Sequence, residues 1–502
     1  MLAAAATSFV LGGCGGDSQP ITRPAAWEWP TYGHDAQHTF HGETMLTEQT
    51  VTQLAPAWTF PTGDAVTATP TVVDGTVYVG SWDGWFYAVS LRTGRLRWKY
   101  HLDRQDGVTP YPGEHPRDIS SDGGLVTSSA WFEPGNGTRP DLVIFGGGYT
   151  LYALDAHTGR LYWRHEYRGR PDLPADPAHD DTRIFSSPVV VGSDVIFAIS
   201  VDGHRGRRGY IAAADLDTGR PRWTYQTDVD SAGHVLDDGC GSVWSSGTVL
   251  PSLGLVVFDV ADCHFANPPP SAESVIALHA ATGTLAWEFR PARRDVACDF
   301  DFGATPNAGL GPGGTPVFLG VGSKDGTYYS LDPRTGALRW QTNVVFGGFA
   351  GGFIATAAYD GTRVYGATAI GDFGRFETNG PSVCEPGNPR DTQIQEPSDH
   401  AFDAASGAVA WQVDHAASFA PTTVAGGMTF NGLASGANLV QARDAATGHL
   451  LWQISLPAAC WSGIATVGDA LVLGTGSSQQ GSPDGIVALT PGGTPPVTPA
   501  GG

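Results

Sequence analysis

The sequence predicts an all-β fold, an eight-bladed β-propeller with four-stranded antiparallel blades, closed by pairing of the N- and C-terminal strands. Three observations carry this. The strings TGRLRW, TGRLYW, TGRPRW, TGTLAW, TGALRW, SGAVAW and TGHLLW end at Trp98, Trp163, Trp223, Trp287, Trp340, Trp411 and Trp452, so one unit recurs seven times. The chain's two ends supply an eighth: Trp58 in PAWTF lacks an upstream partner, and the strand Ile486 to Thr490 lacks a downstream Trp. Composition agrees, because 68 Gly, 36 Pro and 15 Trp against 16% charged residues suit short strands and tight turns rather than helices.

A chain of 502 residues ordinarily divides into several domains. A closed ring escapes that limit, since each unit packs only on its neighbours. The opening run MLAAAATSFVLGGC is apolar, too short to span a bilayer and ends in small residues, which reads as an export signal over residues 1–14. Residues 15–26 read as a tether, 27–491 as the propeller, and the Pro/Gly-rich residues 492–502 as a disordered tail.

Within each unit a short apolar strand such as YAVSL or IALHA precedes the Gly-to-Trp string, and an alternating run and a second strand such as TVYVGS follow it. Each repeated Trp is read as a wedge between blades. Pairing of the Trp58 strand with Ile486 to Thr490 would leave no free sheet edge. The Trp spacing is uneven, 40 residues from Trp58 to Trp98 but 71 from Trp340 to Trp411, so the extra length enters loops. The largest, near 103–127, 168–185, 228–239 and 371–400, are rich in Pro, Gly and Asp, and long loops on a rigid scaffold are where function concentrates.

Charge and cysteine usage narrow the function classes. With 50 acidic and 28 basic side chains the formal charge is -22, which repels a phosphate backbone and argues against nucleic acid as a partner. No CxxCH occurs, so no c-type haem is expected, and electrons from any oxidation would pass to a separate, external acceptor. Besides Cys14 there are five cysteines, and an odd number leaves at least one unpaired in an oxidising compartment. Cys240 and Cys263 flank adjacent strands of one blade and form the preferred disulfide. Cys384 with Cys460 is a second pairing across neighbouring loops, leaving Cys298 single. The 15 His residues are scattered, without the spacing of a zinc site.

WPTYGHD at Trp29 to Asp35, TATPTVVDGTVYVGSWDG at Thr67 to Gly84, DFGATPN at Asp301 to Asn307 and KDGTYYSLDPRTGALRW at Lys324 to Trp340 accompany the repeat. Together they resemble bacterial quinoprotein alcohol dehydrogenases that carry pyrroloquinoline quinone (PQQ), and among them the polyvinyl-alcohol-dehydrogenase type. The resemblance implies an axial quinone stacked on a Trp, a calcium ion polarising it, and an Asp that removes the hydroxyl proton of an alcohol or polymeric substrate. Trp244 in CGSVWSS matches the stacking Trp, and core filling is the competing reading. Asp299 in CDFDFG matches the catalytic Asp and a calcium ligand, with Asp301 beside it; a solvated turn is the alternative. Lys324 matches the residue that hydrogen-bonds the quinone, against the alternative of a surface Lys in a KDG turn.

The family pattern is not complete. His204 stands where the calcium site's Glu belongs, whereas Asp262 replaces its Asn and would still serve a hard cation. The adjacent cysteine pair is missing, with Ser121 and Asp122 near that place. Leu11 to Cys14 resemble a lipoprotein box, which would lipidate Cys14 and make that lipid the chain's contact with a membrane. Two functions are therefore expected to compete for an exported, monomeric chain. One is a PQQ-dependent alcohol dehydrogenase; the other is a noncatalytic surface propeller that binds a protein or glycan, like an assembly-scaffold lipoprotein.

Overall fold

The computed structural model describes residues 27–102, 126–168, 183–201, 208–230, 232–236, 241–261, 270–291, 300–345, 347, 351–369, 397–433, 438–477 and 480–498, with backbone alone at 480–484. Of the residues singled out above, Cys14, Ser121, Asp122, His204, Cys240, Asp262, Cys263, Cys298, Asp299 and Cys384 lie outside the described residues.

The described residues form eight sheets, each of four antiparallel strands in chain order apart from one addition and one closure. Blade 1 is Thr71–Val73, Thr76–Gly80, Trp85–Ser90 and Leu96–His101. Blade 2 runs from Trp131–Glu133 to Leu161–Glu166, blade 3 from Val189–Val191 to Pro221–Gln226, and blade 4 from Thr248–Leu250 to Leu285–Phe289. Blade 5 runs from Asn307–Leu310 to Leu338–Asn343, blade 6 from Ala358–Tyr359 to Val409–Asp414, and blade 7 from Thr423–Ala425 to Leu450–Ser455. Blade 8 takes Ala465–Val467, Ala470–Ser477 and Gln480–Pro491 from the end of the chain and Leu54–Pro61 from its beginning. Trp58 pairs with Ala488 and Phe60 with Ile486, so the ring closes where the two incomplete units predicted.

The repeated Trp residues hold blade to blade. Trp58, Trp98, Trp163, Trp223, Trp287, Trp340 and Trp411 each donate the indole N–H to a carbonyl of the following blade at 2.7–3.2 Å. The Gly of that following blade lies under the ring: a Cβ on Gly336 would stand 2.4 Å from Trp287, and one on Gly94 2.8 Å from Trp58. Both glycines also have positive φ, 70° and 64°, so the turn and the close approach demand the same residue. Every outer strand shifts register just before its Trp, a bulge that also twists an exposed edge away from pairing.

A second device was not foreseen from the repeat. Residues 29–46 travel round the axis and bond nearly every innermost strand in turn. Val72 of blade 1 donates to Trp29, Phe132 of blade 2 to Pro30, Val249 of blade 4 to Ala36, Ala308 of blade 5 to Gln37, Tyr359 of blade 6 to Thr39 and Val424 of blade 7 to Phe40, at 2.7–2.9 Å. Met45 reaches Gly468 of blade 8, and His41–Gly42 adds a parallel strand to blade 7. Asp35 shapes this belt by accepting from Gln37 N, Thr39 N and the Thr39 hydroxyl. At the far end, residues 492–498 of the predicted tail are described, and Val497 N–H donates to Asp469 at 2.7 Å.

Candidate functional site

The site is built where each blade's chain enters its innermost strand. Two residues before that strand a hydroxyl recurs, and it ties neighbouring blades together. Ser129 N–H donates to Ser187 Oγ, Ser187 N–H to Ser246 Oγ, Ser246 N–H to Thr305 Oγ1 and Gly463 N–H to Thr69 Oγ1, at 2.9–3.1 Å. Two residues further upstream stand Thr67, Thr127, Phe185, Trp244, Gly303, Ile354, Phe419 and Trp461, one per blade. All eight are partly exposed. Radial symmetry then places these eight residues as a crown at one mouth of the axis.

Trp244 contributes the crown position of blade 4. It belongs to none of the blade-to-blade apolar cores, and its indole N–H has no hydrogen-bond partner among the described residues, unlike the seven docking indoles. Those facts weigh against the core-filling reading. Gly303 of blade 5 makes room for it, since a Cβ there would stand 3.3 Å from the indole's benzene edge and 3.3 Å from the Ile354 backbone. Lys324 Nζ lies 5.3 Å from the centre of the Trp244 ring, close enough for a cation–π contact.

Lys324 is not a surface lysine. Its side chain is 5% exposed, and Nζ lies 2.9 Å from Asp301 Oδ1, whose side chain is 1% exposed. The turn itself is structural: Asp325 accepts Thr327 N–H at 2.8 Å and the Tyr329 hydroxyl at 3.0 Å, as Asp83 does for Trp85 N–H and Tyr87 in blade 1. In SWDG of blade 1 the place of Lys324 is taken by Trp82. Asp301 is held from the other side, because its carbonyl accepts Lys324 N–H and the Ser323 hydroxyl, both at 2.9 Å. The solvated-turn reading therefore does not hold for Asp301. Phe300 and Asp301 are irregular backbone, not strand.

The structure thus brings together Trp244, Asp301 and Lys324 from three separate segments. It does not test Asp262 or Asp299. An aromatic face beside a buried ammonium fits a flat anionic cofactor such as PQQ. For calcium the described residues supply Asp301, and no group of three or more His, Cys, Asp or Glu close enough to hold a metal occurs among them.

Two crown residues escaped the motifs. Trp461 sits in blade 8, diametrically opposite Trp244, and packs on Phe419 of blade 7 with the ring centres 4.8 Å apart and the planes tilted by 40°. Its indole N–H also lacks a partner among the described residues. The signal was present, because SVWSSG and ACWSGI place Trp at one repeat position. Beside Trp461, Cys460 is a buried free thiol among the described residues, and burial pushes it up to about 12.

Eight blades, with an indole, an ammonium and a carboxylate meeting beside the crown, define a propeller with a candidate site at one end of its axis. The chain belongs to the glucose/ethanol/alcohol dehydrogenase β-propeller family, whose model matches residues 29–344. Residues 397–490 match a second model, that of the outer membrane protein assembly factor BamB. Polyvinylalcohol dehydrogenase of Pseudomonas sp is 24% identical over 383 residues, 70% of this chain and 56% of that protein. Quinohemoprotein alcohol dehydrogenase of Comamonas testosteroni is 24% identical over 520 residues, 85% of this chain and 69% of that protein. The chain thus spans little more than half the length of the polyvinylalcohol dehydrogenase. Among solved structures, the Comamonas testosteroni enzyme superposes with a TM-score of 0.71 at 19% identity, covering 96% of this chain and 82% of that one. BamB from Moraxella catarrhalis gives 0.55 at 14% identity, covering 87% and 99%. At these identities the superpositions establish the fold alone. Among the described residues no helix is long and apolar enough to cross a membrane.

Proposed function

We propose that the chain is an exported PQQ-dependent dehydrogenase that oxidises an alcohol, monomeric or polymeric, and passes the electrons to a separate acceptor. The observation that carries this reading is the meeting of Trp244, Lys324 and Asp301 at the axial mouth of a chain from this family. When bound, PQQ supplies the two-electron acceptor that no side chain can provide. Trp244 gives it a flat apolar face, and Lys324 gives its carboxylates and quinone oxygens a charged donor. Asp299 takes the hydroxyl proton and, with Asp262, holds calcium; Asp301 keeps Lys324 at its place. Trp461 and Phe419 offer the opposite wall for the substrate's carbon chain. The export signal at 1–14 and the lipid on Cys14 would put this chemistry outside the cytoplasm, with Cys240 and Cys263 oxidised.

The test is direct. Purified protein mixed with PQQ and calcium is expected to show cofactor absorbance and to reduce a dye with an alcohol, and Asp299→Asn is expected to abolish turnover while keeping the absorbance. The second reading, a noncatalytic surface propeller that binds a protein or glycan, draws on the BamB-type match over 397–490 and on His204 at the Glu position. Absence of both absorbance and dye reduction selects it.

A further inference from the structure

One joint between blades departs from the other seven. Two third-strand positions share each seam: the residue two before the partner of the repeated Trp and, in the following blade, the residue one after that partner. Seven seams fill both places with apolar residues of one shared core, as Phe86 with Leu154, Tyr328 with Phe402 and Val440 with Leu489. Between blades 6 and 7 the two residues are Asp399 and Arg443, and Arg443 Nε donates to Asp399 Oδ2 at 2.8 Å. Both are buried. The fold closes seven times without charge here, and a buried ion pair commonly adds nothing to stability over an apolar pair of similar size.

Asp399 makes a second contact that no apolar residue could make. Its other oxygen, Oδ1, lies 3.0 Å from His415 Nε2, and the His415 side chain is 1% exposed. Burial alone would raise the Asp399 carboxyl, yet His415 and Arg443 together pull it below the usual carboxylate range. Arg443 is fixed in turn, donating to Gln441 Oε1 at 3.0 Å and to the carbonyl of Gly448, the glycine under Trp411, at 3.2 Å. His415 opens the span that leaves blade 6 and carries Phe419 to the crown. At the blade 6 end, His415 N–H donates to Pro397 at 2.9 Å and Ser418 N–H to Thr368 at 3.2 Å. At the blade 7 end, Ser418 Oγ bonds Asn431 Oδ1 at 2.7 Å and the Gly432 carbonyl at 2.8 Å. Phe419 follows directly and packs on Trp461.

We propose that Asp399 is a positioning residue for the crown: standing where the other seams have an apolar residue, it anchors His415 and through it sets where Phe419 stands beside Trp461. One carboxylate oxygen serves the seam and the other serves the mouth. The proposal rests on the geometry of the crown and not on the identity of its ligand.

Hydrogen exchange on the full chain without cofactor tests it. Asp399→Leu combined with Arg443→Leu gives this seam the apolar pair of its neighbours and is expected to keep the thermal midpoint, while the amides of 415–418 exchange faster by about tenfold or more. His415→Leu leaves Asp399 on Arg443 and is expected to release the same amides. His415→Gln, whose amide still reaches the carboxylate, is expected to keep most of the protection, a rescue that packing alone would not give. In fluorophenylalanine-labelled protein, the Phe419 fluorine resonance, assigned by its loss in Phe419→Leu, is expected to move in the double variant and in His415→Leu but not in His415→Gln. Unchanged exchange at 415–418, an unmoved Phe419 resonance, an equal rise around Phe86 in blade 1, or the same loss with His415→Gln overturns the proposal. If the double variant does not fold, the contrast between His415→Leu and His415→Gln decides. A PQQ titration of the parent runs alongside, and no binding there overturns the dehydrogenase reading while leaving the exchange result standing.

Discussion

A KDG turn ordinarily carries its lysine into solvent, yet the side chain of Lys324 is 5% exposed, and the reason lies in its surroundings. The turn's own bonds are made by Asp325, which frees Lys324 to point inward to Asp301 and Trp244. Removing that charge should be felt directly by an anionic cofactor. Lys324→Met is expected to weaken PQQ binding by about 10- to 100-fold, the worth of a charge-assisted hydrogen bond, as a titration followed by absorbance would read. Parent-like affinity would remove Lys324 from the site. Histidines set a different property at the same scale. Burial holds His34 down to about 4, and His38 and His400 down to about 3, so all three stay neutral in the folded chain at pH 5. Unfolded, each takes a proton near pH 6.5. Full stability therefore holds above about pH 6.5 and is lost as pH falls toward 3–4, by up to about 1.4 kcal/mol per unit for each histidine. Calorimetry at pH 7.5 and pH 5 should show the drop, and His38→Gln should reduce it. A midpoint independent of pH across that interval would contradict the assignment.

Between blades, one Trp and one Gly form the joint, and each half was legible because the repeat spells both within six letters. What the letters do not spell is that the Trp of one blade docks on the Gly of the next. That contact is long-range, and only the structure pairs Trp287 with Gly336. Two substitutions separate the halves of the joint. Gly336→Ala puts a methyl 2.4 Å from the indole at φ 70° and is expected to cost about 1–3 kcal/mol. Trp287→Ala empties the wedge and loses the bond to Pro333, at about 3–5 kcal/mol. Denaturant midpoints would check both, and pairing Gly336→Ala with Trp287→Ala should cost less than their sum because the clash disappears. The belt of residues 29–46 was not legible as structure. Its bonds run from irregular backbone to seven blades, and no periodicity marks such a path. Positive φ at His34, His38 and Phe40 shows how far it departs from any regular element.

At the scale of the molecule, the repeat's two orphan halves were enough to foretell eight blades and the closure between the ends. The site was legible only in part. Trp244, Asp301 and Lys324 were reachable through motifs, whereas Trp461 shows only when the entry segments of two blades, SVWSSG and ACWSGI, are laid side by side. Closure has a physical consequence that local joints do not. Strand Leu54–Pro61 is made at the start of the chain and has no partner until Gln480–Pro491 exists, so blade 8 assembles last, and every earlier state carries open edges. A chain ending at residue 484 removes the paired residues 485–491. It leaves Leu54–Pro61 without a ladder and exposes the edge of Ala470–Ser477. Size-exclusion chromatography is expected to find this shortened chain associated through its edges, while a chain ending at residue 498 keeps the parent's elution volume. If the shortened chain elutes as the parent does and melts at the same midpoint, the ring does not depend on its seam. The closing strand would then be decoration on a sheet that is already complete.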